Sequence, residues 1–207
     1  MNFSTCAATL LISLTLLTSG GRTNAQTPGK LNENPDQSGQ PLESPAATAT
    51  VQVGGGTILI KYNSPRMRGR TIMGGLVPYG TVWRTGANPA TTIITSVPLM
   101  FGGLLVPTGT HTLYTLPTKG TWQLIINNQT GQWGTEYDQT KDLGRVPMQS
   151  RRMKTPKEAM SISFEKSTRD STELHVRWET TDQYITITPA RCSKPSWISD
   201  QRINYML

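Results

Sequence analysis

The sequence predicts an all-β protein: a single antiparallel β-sandwich of about nine or ten short strands behind a disordered N-terminal segment. Two observations carry this expectation. The 207 residues include 19 Gly and 14 Pro with only 16% charged residues, a composition of short elements and many turns. Apolar residues then recur with a period of two in segment after segment, which is the pattern of half-buried strands. Heptads and repeated long apolar runs are both missing, so a coiled coil and a polytopic membrane protein are excluded. No repeat of propeller length is seen.

Along the chain, Ala7–Leu17 reads AATLLISLTLL, an apolar run of signal-peptide length, followed by a small residue at Ala25. Residues 1–25 are therefore expected to be a signal peptide, with an uncleaved membrane anchor as the alternative. Removal would take Cys6 and leave Cys192 as the lone Cys, expected to be a small buried residue, with a free thiol as the alternative. Residues 26–50 carry Pro28, Pro35, Pro41 and Pro45 among polar residues and read as a disordered linker. The folded domain is expected over 51–189, and a tail over 190–207.

Within the domain, Thr57–Tyr62 places Ile58, Ile60 and Tyr62 on one face. Leu99–Phe101 and Leu104–Val106 flank Gly102-Gly103, a two-residue hairpin turn. Pro107-Thr108-Gly109 and Asn127–Gly131 read as further turns. Trp122, Leu124 and Ile126 alternate; so do Met160, Ile162 and Phe164, then Leu174, Val176 and Trp178, then Ile185 and Ile187. Asp138–Leu143 is the place for a short helical turn. His111 shares a face with Leu113 and reads as a core histidine, whereas His175 falls on the polar face between Glu173 and Arg177 and is expected in solvent.

Charge is unevenly spread. The formal net charge is +7, yet no acid occurs from Ser44 to Thr135, a stretch holding Lys61, Arg66, Arg68, Arg70, Arg84 and Lys119. Such a basic half attracts phosphate, carboxylate or an anionic polymer, or else is answered by Glu136, Asp138, Glu158 and Glu165 of the same chain.

Residues 63–95 read NSPRMRGRTIMGGLVPYGTVWRTGANPATTIIT. The core GRTIMGGLVPYGTVWRTGANPATT resembles the signature of a bacterial domain-of-unknown-function family, number 2911. Val106–Thr110, His111–Pro117, Trp122–Asn127 and Gln132–Gly134 continue the resemblance, which covers Val51 to Pro189. It implies an exported bacterial β protein and carries over no activity. Pro89, where an acid is commoner, and His111, where an aromatic is commoner, depart from the pattern.

The candidate ligand-binding residues are Arg66, Arg68, Arg70, Arg84, Asn88 and Thr92. The first three stand at i, i+2 and i+4; if extended they share one face with heads ~7 Å apart, unless Gly69 bends the chain. Guanidinium suits bidentate contact with carboxylate or phosphate. Trp83 and Arg84 are expected on opposite faces, with Trp83 in the core, and Asn88 before Pro89 is expected to be extended. No nucleotide-loop, metalloprotease or nucleophile-elbow motif occurs. No catalytic residue, metal or cofactor is expected, and nucleic acid is not the expected partner. The leading reading is a periplasmic or extracellular binding module for an anionic small molecule or envelope polymer. Its rivals are a structural or interaction protein of the cell envelope and, less favoured, an enzyme using His111 beside Glu136 or Tyr137.

Overall fold

The computed structural model describes residues 44–190. The readings for residues 1–25, for the linker as far as residue 43, for Cys192 and for the tail beyond Ala190 fall outside them.

Among the described residues, ten antiparallel strands form two sheets. The first has the order β1 (Ala46–Val53), β2 (Gly56–Asn63), β3 (Thr92–Thr95), β6 (Gly109–Leu116), β7 (Gln123–Asn127), β8 (Asp142–Pro147). The second has the order β5 (Leu104–Val106), β4 (Leu99–Phe101), β10 (Thr172–Pro189), β9 (Gln149–Glu165). The expected sandwich is what forms, and the expected helical turn is a 3-10 turn at Gln139–Lys141.

Each alternating segment buries its apolar face. Ile58, Ile60, Ile93, Leu113, Leu124 and Ile126 of the first sheet meet Leu99, Phe101, Met160, Leu174, Trp178 and Ile187 of the second in one core. At about 25 cal/mol per Å² of apolar surface, this burial is the main force holding the sheets together. Tyr62 adds a polar stitch: its hydroxyl, on β2, accepts from the Ile162 backbone N–H of β9 at 3.1 Å.

Three expectations need correction. Strand β1 starts at Ala46, inside the segment read as linker. Ala47, Ala49 and Val51 do alternate towards the core. Residues this small bury little by themselves, and it is the eight-residue ladder to β2 that holds them. Second, β9 and β10 are long, not short, at 17 and 18 residues. They stay paired past two register shifts around Glu179.

Third, His175 is fully buried. Its Nδ1 lies 2.8 Å from Asp182 Oδ1 and its Nε2 3.2 Å from Glu173 Oε2. Its ring stacks on Tyr184 with centroids 5.0 Å apart. Arg177 pairs with Glu165 and Asp182, and Arg151 also reaches Asp182. Leu174, Val176 and Trp178 face the core as expected, and beyond the register shifts Ile185 and Ile187 do so too. The opposite face at Glu173, His175 and Arg177 is covered by this charged cluster and not left to water.

Candidate functional site

The connection between β2 and β3, residues 64–91, holds the long motif and builds one wall of a cleft. Ile72 and Val77 anchor it in the core. The Val77 N–H donates to Ile72 O at 2.9 Å, and Gly74 N–H donates back to Val77 O at 2.9 Å, closing a tight turn. Trp83 exchanges two backbone hydrogen bonds with Thr115 of β6 at 2.8 and 2.9 Å. Beyond it the chain turns sharply, with Thr85 at φ 53° and Asn88 at φ 60°. Thr85 is held in this costly left-handed region by Thr115 Oγ1 at 3.0 Å and by the Thr91 hydroxyl, which donates to Thr85 O at 3.0 Å. Asn88 is therefore not extended. Asparagine tolerates the left-handed region, and its carbonyl is fixed by the Gly134 N–H at 3.1 Å.

The cleft has a volume of about 380 Å³ and is bordered by Arg70, Leu76, Trp83, Arg84, Asn88 and Trp178, among others. That size falls within the range of small-molecule sites. Trp83 is only partly buried and stacks on Trp178, with centroids 5.8 Å apart. Trp83 and Arg84 border the same cleft, contrary to the expectation of opposite faces, because the turn at Thr85 breaks the strand geometry.

Arg84 is the chemical centre. Its stem runs against the backbone of Gly134, where any β-carbon would collide with Arg84 Cδ. Its Nε is buried without a hydrogen-bond partner. Among the described residues no carboxylate pairs with it. Loss of water around the guanidinium pulls its pKa below the ordinary arginine value. It stays charged at neutral pH all the same. The result is a half-dry cation with apolar neighbours on one side.

Of the six candidate residues, the fold brings Arg70, Arg84 and Asn88 together at this cleft. Arg66, Arg68 and Thr92 do not border it. The arginine row does not form, because Arg68 and Gly69 take φ of 49° and 70° and turn the chain. Arg70 folds back and donates to the Met67 and Arg66 carbonyls at 3.0 and 2.8 Å. The Arg68 N–H donates to Glu158 Oε1 at 2.9 Å. Thr92 sits in β3 between Lys61 and Thr112.

Trp178 and Leu76 were missed as cleft residues. Trp178 reads correctly as core, and nothing local reveals that its edge also borders a cleft. The acids expected to answer the basic half are largely engaged elsewhere. Asp142 is bonded by Tyr137, Arg145 and Asn127. Asp138 caps the 3-10 turn through Thr140, and Glu165 pairs with Arg177. His111 is buried as expected, near Asn128 Oδ1 and Pro107 O at 3.2 and 3.1 Å. Neither Glu136 nor Tyr137 is among its hydrogen-bond partners, so the constellation an enzyme reading needs is not assembled.

A two-sheet, all-β sandwich with a cationic cleft beside one long motif-bearing connection is the class this fold and site define. The chain belongs to the family described as Protein of unknown function (DUF2911), whose model matches residues 44–187. No curated protein and no solved structure matches it.

Proposed function

We propose that this protein is an exported binding module whose Arg84 cleft takes a small ligand with a carboxylate or phosphate group and an apolar body. The observation that carries the reading is Arg84, a half-buried guanidinium with no carboxylate partner among the described residues. A buried polar group left unsatisfied costs about 1–3 kcal/mol. A ligand anion would remove that cost and add a charge-assisted hydrogen bond. The apolar body would lie against Trp83 and Leu76, the latter 49% exposed. Export is supported by the Ala7–Leu17 run and the small residue at Ala25.

The test is a thermal-shift and calorimetric screen of aliphatic and aromatic carboxylates and phosphate esters, repeated on Arg84→Met. Saturable binding that disappears in Arg84→Met is expected. No binding by any anion, or binding indifferent to Arg84→Met, overturns the reading. Fractionation of cells producing the full chain tests export separately: the protein is expected outside the cytoplasm, shortened at its N-terminus.

One observation favours a second reading, a structural or interaction protein of the envelope. Arg70, at the mouth of the same cleft, is already satisfied by two backbone carbonyls. On that reading Arg84 merely braces the loop around Gly134, and removing its charge changes stability but no affinity.

A further inference from the structure

A second cleft, of about 320 Å³, lies on the other side of the Ile72–Gly80 turn. It borders the place where β9 and β10 lose register. Thr181 pairs with Arg152 and Glu179 with Lys157, so residues 153–156 of β9 stand against Thr180 alone. A bulge of this kind re-aims side chains, and Glu179 within it takes φ 54°. The Glu179 carboxylate borders the cleft, and its Oε2 accepts from the Met73 N–H at 3.3 Å. Strain of this kind persists only where the surrounding structure enforces it.

The charged groups bordering this cleft are of two kinds. Lys119 and Arg152 are exposed cations, and neither has a carboxylate partner among the described residues. Arg151 also borders it, but its guanidinium is committed to Asp182 at 2.7 Å. Against these stands Glu179, an acceptor of hydrogen bonds with one oxygen unengaged by the protein. Ser150 and Thr181 add hydroxyls, and Tyr79 offers a 38% exposed ring.

A bare anion suits the two cations but is repelled by Glu179. An apolar ligand satisfies none of these groups. A polyhydroxylated acid satisfies all of them. Its carboxylate meets Lys119 and Arg152, its hydroxyls donate to Glu179, and its C–H face lies on Tyr79. We infer that this second cleft is a binding site for an acidic sugar, a uronic acid or a chain of them. The inference stands on residues distinct from those of the Arg84 cleft and does not rest on that reading.

The experiment titrates the purified full chain with glucuronate and with a galacturonate trisaccharide by calorimetry. Glucose, inorganic phosphate and glycine serve as the neutral, bare-anion and zwitterion comparators. Saturable binding of a uronate is expected, at least tenfold tighter than any comparator. Lys119→Gln with Arg152→Gln is expected to weaken it at least tenfold, and Glu179→Gln several-fold. Because Glu179 also braces Met73, Lys119→Gln alone provides a variant on an exposed loop that does not depend on that brace. No saturable uronate binding overturns the proposal. So does phosphate or glycine binding as tightly as the uronate. Binding that is lost in Arg84→Met but kept in the Lys119 and Arg152 variants places the sugar acid in the first cleft and also overturns it.

Discussion

Arg84 shows how one side chain comes to carry a half-buried charge that no carboxylate among the described residues answers. Gly134 lets the neighbouring backbone close on its stem, and Thr85 turns the loop so that its head borders the cleft. Because the guanidinium is half-buried with no carboxylate partner among the described residues, its charge brings the fold little stability. Arg84→Met keeps the stem and removes the unsatisfied group, so the melting temperature is expected to hold or rise by a few degrees, at about 2–4 °C per kcal/mol. A scanning-calorimetry comparison reads this directly, and a clear fall would assign Arg84 a bracing role. Gly134→Ala is expected to do the reverse. Its β-carbon would sit 2.7 Å from Asn88 O, a backbone atom, besides striking the arginine stem. Overpacking at this level costs about 1–3 kcal/mol, and urea denaturation is the measurement.

At the scale of the element, β10 is the strand on which the molecule turns. Trp178 closes the core and borders the first cleft, while Glu179 borders the second. Trp178 is 1% exposed, stacks on Trp83 and donates its Nε1–H to Glu158 O at 3.1 Å. Trp178→Ala is expected to cost about 3–5 kcal/mol and to loosen Trp83 with it. Equilibrium unfolding gives the first number. Loss of the near-ultraviolet circular dichroism of the tryptophan pair reports the second. The alternation that places Trp178 in the core was legible along the chain. The bulge beside it was not, since the register break depends on residues 153–156 of a different strand.

For the molecule as a whole, the distribution of charge takes on a different meaning. Arg145, Arg151, Lys166 and Arg177 pair with Asp142, Asp182, Glu173 and Glu165, so this ion pairing is internal to residues 142–182. Burial works to raise the Asp182 pKa, but hydrogen bonds from His175, Arg151 and Arg177 outweigh it and hold the carboxyl below its usual range. The hydrogen bond from Arg177 does the same for Glu165, and that from Lys166 for Glu173. Groups depressed in this way contribute stability that is fully present above the unfolded carboxylate pKa of about 4. That stability is lost as pH falls through the lower folded values. Unfolding free energy is therefore expected to be flat from about pH 5 to 8 as far as these acids are concerned, and to fall below about pH 4. Asp182→Asn removes the buried carboxylate that Arg151 and Arg177 share, leaving Arg177 with Glu165 alone, and is expected to cost about 3 kcal/mol at neutral pH while flattening the acid limb. Urea melts between pH 3 and 8 on both proteins test the two effects together.

The sequence by itself determined the fold class, the hairpin at Gly102-Gly103, the buried His111, and the family. It also pointed to Arg70, Arg84 and Asn88, because motif and charge are written in consecutive residues. Period-two alternation is local, so a strand facing a core announces itself without knowledge of its partner. Tertiary structure alone decided that His175 is buried, that Ala46 already lies in a strand, and that Arg66 and Arg68 stand apart from the cleft. It alone placed Trp178 beside Arg84, and Lys119 beside Arg152 and Glu179. The physical reason is the same in each case. A side chain's face follows from its own strand, but what covers that face depends on the register of strands far away in the chain.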